Sequence, residues 1–239
     1  MTKVSAVIPT YNRLSDLRRA VDSVRAQTHK DMEIIVVDDA STQEGYLGLD
    51  LGVDVKVIRL PENTKKKLGF PCAGYTRTTG MKAASGEYIA VLDDDDIWLP
   101  SKIEKQLSIM SSTGCEMSAT EAYIGGGPYV PGYRYPLYNG KYWFNLIKKI
   151  YEPHKGFLDP AGQLPAIFTR KLIYLNNCCV CSSVILSSEI YRRINYMPIK
   201  TPPVDHSCWL EALKHTDCAY IADPHVFYNS GSHARLWDK

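Results

Sequence analysis

Branched apolar runs that alternate with stretches of helical period constrain this chain more than any other feature. Val4 to Pro9 reads as a first strand, after which Leu14, Leu17, Val21 and Val24 recur at helical spacing, with Asn12 or Ser15 available as a cap. Glu33-Ile34-Ile35-Val36-Val37-Asp38 is a second strand, apolar almost throughout, as expected where helices cover both faces of a sheet. Val53 to Leu60 reads as a third strand, residues 72 to 84 as a helix, and Glu87 to Leu92 as a fourth strand. Strand, helix, strand in this order predicts an α/β fold with a mostly parallel central sheet flanked by helices.

Beyond Pro100 the alternation fails. Ser101 to Met110 and Ser207 to Lys214 read as helices; Met117 to Tyr123, Cys178 to Leu186 and Ala219 to Tyr228 read as strands. Between them, Gly125 to Gly140 is a loop rich in Gly, Pro and Tyr. Neither repeats nor linker composition divide the chain, so 239 residues are expected to form a single domain with a regular half over about 1–100 and a less regular half over about 101–239.

Charge and cysteine usage narrow the function classes. A balance of 28 Lys and Arg against 26 Asp and Glu leaves +2, too little to imply a nucleic-acid partner. With no run of eighteen apolar residues, no transmembrane segment is expected, and the chain reads as soluble and cytoplasmic, with peripheral attachment to a membrane left open. Seven cysteines cannot all pair internally, and Cys178-x-x-Cys181 lacks a second such pair, which favours buried thiols on a strand over a metal or redox site.

Asp93-Asp94-Asp95-Asp96 ends the fourth strand. Neighbouring carboxylates about 5 Å apart repel by roughly 3 kcal/mol at an effective dielectric of about 20, so such a run needs a cation or a solvated turn. On an extended strand end, Asp93 and Asp95 would project to one side and Asp94 and Asp96 to the other. Hard oxygen ligands suit Mg2+ or Mn2+ and leave positions free for phosphates. Ligands of open α/β sheets bind beyond the carboxyl ends of the strands, where this run lies. Asp38-Asp39 ends the second strand in the same way, Asp39 suiting either nucleotide recognition or helix capping. Pro9-Thr10-Tyr11-Asn12-Arg13 follows the first strand with a stackable ring, hydroxyls and amides.

The order and spacing of Pro9-Thr10-Tyr11-Asn12, Ser23-Val24-x-x-Gln27-Thr28, Glu33 to Ser41, Arg77-x-x-Gly80, and Ala84-Ser85-Gly86-Glu87 through Trp98-x-Pro100 resemble the family-2 glycosyltransferases of GT-A fold over the first hundred residues. The resemblance implies a Rossmann-like sheet carrying a nucleotide-sugar donor, expected to be a UDP-sugar. Pro9, Thr10, Tyr11 and Asp39 match positions that hold the nucleoside. Arg77 matches an arginine of an Ala-Arg-Asn motif near the donor, here Thr76-Arg77-Thr78. Asp93 and Asp95 match the ends of the family's DXD motif, with Asp95 as metal ligand and Asp93 or Asp94 reaching the ribose.

The second half resembles the family more faintly, through Asn176-Asn177 and Ser182 to Leu186, similar to a strand beneath the acceptor site, and through Val204-Asp205-x-x-x-Trp209-Leu210, similar to a Glu-Asp motif that opens a helix. On that alignment Asp205 is the general base; on its own it reads as an N-cap. His206 is the rival base and an acceptor contact. Trp98 suits an acceptor platform or the core, His233 a metal or phosphate contact or the surface, and Lys65-Lys66-Lys67 a solvated loop. Seven tyrosines (Tyr123, Tyr129, Tyr133, Tyr135, Tyr138, Tyr142, Tyr151) and Trp143 could stack on sugar or pack onto the core.

The expected chemistry is metal-dependent, inverting transfer to a glycan hydroxyl, since one base and one displacement invert the anomeric carbon. A nucleotidyltransferase would need a Gly-rich phosphate loop after the first strand, which Pro9 to Arg13 lacks; a binding module without catalysis is the other rival.

Overall fold

The computed structural model describes residues 2–142, 144–153, 156–158 and 162–231. Strands β1 (Val4–Thr10), β2 (Met32–Asp38), β3 (Val55–Arg59) and β4 (Tyr88–Val91) run parallel in the order β3-β2-β1-β4. Helix α1 (Leu14–Arg25) follows β1, and α2 (Thr64–Leu68) and α3 (Ala73–Ala83) lie between β3 and β4.

Side-chain alternation on the strands explains the layering. Val4, Ala6 and Ile8 of β1 and Ile34 and Val36 of β2 form one core with Leu17, Ala20, Val21 and Val24 of α1. Val7, Ile35 and Val37 face the other way, into separate clusters. Each such fully buried side chain contributes about 1.5–3 kcal/mol. On that second face α3 comes so close that a Cβ on Gly80 would lie 2.6 Å from Val7 Cγ1 and 2.9 Å from Val37 Cγ2. Glycine is required there for packing.

The later half extends the same sheet with β5 (Ile97–Trp98), β6 (Met117–Gly125), β7 (Ile167–Phe168), β8 (Ile185–Ser187) and β9 (Cys218–Asn229), giving β3-β2-β1-β4-β8-β6-β9-β5 with β7 also paired to β9. Around it lie α4 (Lys102–Thr113), α5 (Phe144–Tyr151), α6 (Arg170–Leu175), α7 (Ser188–Arg193) and α8 (Val204–Ala212). The longer pairings are parallel, β6 with β9 included, and short antiparallel ones make the sheet mixed: β8 runs antiparallel to β4 and β6, and β5 and β7 antiparallel to β9.

Several local expectations need correction. Within Cys178 to Leu186 only Ile185 onward pairs as strand; Cys181–Ser183 is a 3-10 turn closed by Ser183 Oγ donating to the Val180 carbonyl at 2.7 Å. Burial rather than pairing accounts for that apolar run, and all seven cysteines are free thiols, with Cys115 only partly buried. Helix α1 has no side-chain cap. Asn12 instead accepts from the N–H groups of Thr42 and Gln43, while Gln43 Oε1 takes the Leu14 N–H at 3.1 Å. Lys65–Lys67 lie in α2 rather than in a loop. Tyr123, Tyr129, Tyr133 and Tyr135 pack on one another and on Phe227, with centroids 4.6–6.1 Å apart. Among the described residues no helix is long and apolar enough to cross a membrane.

Candidate active site

Strand β1 lies between β2 and β4, so the chain leaves the sheet centre in both directions and opens a crevice at the carboxyl ends of these strands. Thr10, Asp38, Asp39 and the four aspartates gather there.

The aspartates do not continue β4 as an extended strand. The Asp96 N–H donates to the Asp93 carbonyl at 3.1 Å, closing a β-turn that divides the four carboxylates among three sets of partners. Asp93 pairs with Arg77 of α3. Asp94 Oδ1 and Asp95 Oδ2 converge on one nitrogen, Arg13 Nη1, at 3.0 and 2.7 Å. Asp96 is fully buried, accepting from Ser182 Oγ at 2.5 Å and from the Asn229 N–H at 2.9 Å. In place of the alternation of an extended strand, Asp94 and Asp95 share Arg13, Asp93 takes Arg77, and Asp96 anchors the turn to the core. Ser182 Oγ also accepts the Asp93 N–H at 3.0 Å, so one buried hydroxyl fixes both ends of the turn.

Burial sets the electrostatics. Burial first, and the Asp95 charge next, push Asp94 up to about 7 against the pull of Arg13. Burial, with Asp95 and Asp93, pushes Asp96 well above the usual carboxylate range. Burial opposes the charge on Arg77, but Asp93 outweighs it and the guanidinium pKa is raised, with a smaller contribution from Asp205. Arg77 Nε is buried and has no partner among the described residues.

On the nucleoside side, Thr10 Oγ1 bonds Tyr46 Oη at 2.7 Å at the end of β1, Pro9 is partly exposed, and the Tyr11 ring stands 43% exposed at the rim. Asp39 braces the start of α2, whose N-cap is Asn63: Oδ1 accepts from the Thr64 N–H and Oδ2 from Thr64 Oγ1, both at 2.7 Å, with Asn63 Nδ2 at 3.1 Å. Burial nevertheless pushes its pKa up. Oδ1 carries a single bond and keeps capacity for a further donor, so bracing α2 and nucleoside contact are compatible. Asp38 is committed to Arg59 and the Ser41 N–H.

Asp205 lies in the first turn of α8, whose N-cap is Pro203, so it does not act as the helix cap. Its Oδ2 accepts from Asn177 Nδ2 at 3.2 Å, and Asn177 Oδ1 accepts the Cys179 N–H at 3.1 Å, which fixes the amide. His206 Nε2 donates to the Ile173 carbonyl at 2.7 Å, tying α8 to α6; none of its hydrogen bonds reaches Arg77, Asp93 or Asp205 among the described residues. Trp98 is no acceptor platform: it is 1% exposed and its indole N–H donates to the Ser182 carbonyl at 2.7 Å. His233 and Trp143 lie outside the described residues.

Sequence reasoning missed the supporting shell of Ser182, Asn177, Asn63 and Thr64. Ser182 and Asn177 fall within the quoted pattern, yet only their partners, remote in sequence, reveal what they hold.

Comparison with known proteins identifies the family and the fold. The sequence pattern of the family described as Glycosyl transferase family 2 matches residues 5–166. The putative teichuronic acid biosynthesis glycosyltransferase TuaG of Bacillus subtilis is 30% identical over 223 residues, covering 91% of this chain and 74% of that protein. The Escherichia coli UDP-Glc:alpha-D-GlcNAc-diphosphoundecaprenol beta-1,3-glucosyltransferase WfgD is 35% identical over 219 residues, covering 91% of this chain and 72% of WfgD. Against an uncharacterized glycosyltransferase of Rickettsia felis, 36% identical over 149 residues, the match spans 62% of this chain but only 24% of the relative. Among solved structures, S. aureus TarS 1-349 superposes with a TM-score of 0.66 at 18% identity over 98% of this chain and 62% of that one. Pyrobaculum calidifontis PcManGT, solved with GDP-Man and Mn2+, superposes with a TM-score of 0.63 at 14% identity over 98% of this chain and 59% of that one. The fold is that of the GT-A glycosyltransferases. Matched over residues 5–166, the chain belongs to glycosyl transferase family 2.

Proposed function

We propose that this chain transfers a sugar from a nucleoside-diphosphate sugar, with UDP as the nucleotide, to a sugar hydroxyl, inverting the anomeric carbon. The observation that carries the reading is the gathering of Asp93–Asp95, Arg13, Arg77 and Asp205 around one crevice. WfgD uses UDP-Glc and TarS has been solved with UDP-GlcNAc, which supports a uridine donor; GDP-Man in PcManGT shows that the fold also takes guanosine.

The donor set fits a hard divalent cation, Mn2+ or Mg2+. Two carboxylate oxygens already converge on one positively charged atom, Arg13 Nη1. Asp94 and Asp95 would hold the ion, leaving its remaining positions to the diphosphate and water. No group of three or more His, Cys, Asp or Glu side chains shaped for a metal occurs among the described residues, consistent with an ion completed by the substrate. When bound, such an ion supplies charge stabilisation to the departing diphosphate.

The chain's own residues do the rest. Arg77, held charged by Asp93, adds positive charge beside the leaving group. Tyr11, at the rim, offers its ring to the nucleobase, and Thr10, Pro9 and Asp39 line the strand ends beneath it. Asp205, oriented by Asn177, takes the proton from the acceptor hydroxyl as that oxygen attacks. A single displacement from the face opposite the nucleotide gives inversion without a covalent sugar on the protein.

Asp205→Asn keeps the size of the side chain and removes its basicity. Turnover of a UDP-sugar is expected to fall by about 10²–10⁴-fold, the usual contribution of a general base, with UDP affinity unchanged. Undiminished turnover would strip Asp205 of this role.

A further inference from the structure

Arg13 stands between the end of β1 and the start of α1, and its guanidinium reaches across the strand ends to the acidic turn. One nitrogen, Nη1, serves Asp94 Oδ1 at 3.0 Å and Asp95 Oδ2 at 2.7 Å. The two carboxylates are nearly enclosed, with 7% and 4% of their side chains exposed, whereas Arg13 keeps 21%.

Enclosed carboxylates need a cation beside them, and here a tethered one supplies it. Mg2+ lies about 2.0–2.1 Å from its oxygen ligands. An ion bridging the same two oxygens would therefore take the space of Nη1 and repel its charge. Ion and guanidinium are alternatives at this spot.

The surroundings let the side chain of Arg13 move while its backbone and the carboxylates stay. The Arg13 N–H donates to Tyr46 Oη at 3.1 Å, and the Arg13 carbonyl accepts the Leu17 N–H at 2.9 Å as α1 begins. Tyr46 Oη lies 2.7 Å from Thr10 Oγ1, and Thr10 in turn hydrogen-bonds Asp94. Because a carboxylate accepts, Thr10 donates to Asp94 and Tyr46 donates to Thr10. Ser182 holds the Asp93 N–H and the Asp96 carboxylate, which fixes the turn. A guanidinium offers a planar fork of donors that matches phosphate oxygens, and a diphosphate is the anion that completes an ion held by Asp94 and Asp95.

We propose that Arg13 is the exchangeable counter-ion of the Asp94–Asp95 pair: a divalent ion displaces its guanidinium, which then binds the diphosphate of the donor. Part of the coupling between ion and nucleotide thus passes through this one side chain, and by linkage each ligand raises the affinity of the other by the same factor. The proposal rests on the glycosyl-transfer reading above and on the divalent ion in it.

The test counts free Mn2+ by electron paramagnetic resonance over the unaltered protein and Arg13→Ala, each with and without UDP. Without nucleotide, Arg13→Ala is expected to bind Mn2+ about ten-fold more tightly, and the factor by which UDP tightens Mn2+ binding is expected to shrink by about ten-fold. Guanidinium chloride at a non-denaturing concentration should weaken Mn2+ binding to Arg13→Ala where equal NaCl does not, which separates occupation of the spot from screened repulsion at a distance. An Mn2+ affinity in Arg13→Ala that is equal or lower overturns the proposal, as does guanidinium acting no differently from sodium. Should Arg13→Ala fail to fold, phenylglyoxal labelling of the unaltered protein decides, read on the Arg13 peptide by mass spectrometry. Labelling that rises with Mn2+ and falls again when UDP is added supports the exchange; constant labelling overturns it. The two readings fail differently. If the unaltered protein binds no Mn2+ even with UDP, the ion is removed and the proposal with it; if it binds Mn2+ with UDP but Arg13→Ala binds the ion no more tightly, only the role of Arg13 is removed.

Discussion

Lys102 shows how far a single side chain departs from its surface habit. It is fully buried in the first turn of α4, its Nζ has no hydrogen-bond partner among the described residues, and it lies 4.2 Å from the centroid of the Trp98 ring. Burying an ammonium costs several kcal/mol, whereas a desolvated cation–π contact returns about 2, so burial wins and the pKa falls well below its ordinary value. The group binds fewer protons folded than unfolded, so the stability it contributes rises with pH from the folded pKa up to the unfolded one near 10.4. Lys102→Met is expected to add about 1 kcal/mol at neutral pH, about 2–4 °C in Tm, and to flatten the Tm profile between pH 7 and 10. A drop in Tm at pH 7 would mean that the ammonium stays charged on the indole. Nearby His225 is likewise pushed down to about 4, by burial first and then by Lys105 and Lys102, which leaves it neutral.

Elements are placed here by what glycine leaves out. A Cβ on Gly74, in α3, would sit 2.3 Å from the Pro198 carbonyl oxygen and 2.8 Å from Val204 Cγ1. Backbone cannot yield as a flexible side chain does, and Val204 begins the helix that carries Asp205. Overpacking costs about 1–3 kcal/mol and alanine returns about 1 in helix propensity, so Gly74→Ala should lose up to about 2 kcal/mol. Differential scanning calorimetry would register this as a lower Tm, together with slower transfer as α8 shifts; an unchanged Tm would show that the Pro198 segment gives way freely. The same scale explains the misread run at Cys178. Its apolar residues are buried from all sides, and burial alone cannot tell a strand from a turn held by Ser182 and Ser183.

At the scale of the molecule, one sheet joins a parallel half that gathers carboxylates to a mixed half whose helix α8 carries Asp205. A ligand that binds only the folded chain stabilises it by about 2.7 kcal/mol at a hundred times its Kd. UDP with Mn2+ should therefore raise Tm by about 5–10 °C, and most of the gain should vanish with a chelator or in Asp95→Asn. Equal shifts with and without chelator would remove the ion from donor binding.

The strand and helix alternation over the first hundred residues and the acidic strand ends were legible in the chain itself, because period and spacing are local properties that side-chain chemistry enforces; Arg77 and Asp205 were marked by the family resemblance. Contacts between remote residues were not. That Asp93–Asp96 forms a turn with Asp94 and Asp95 sharing Arg13, that Trp98 seals the core, and that Asn177 holds Asp205 depend on packing remote segments, more than 80 residues apart in some pairs, such as Asp93 with Ser182. Sequence set which groups can bear charge, hydrogen-bond or bury. Tertiary structure chose their partners, because only the packed chain decides which polar atoms must share the space from which water has been removed.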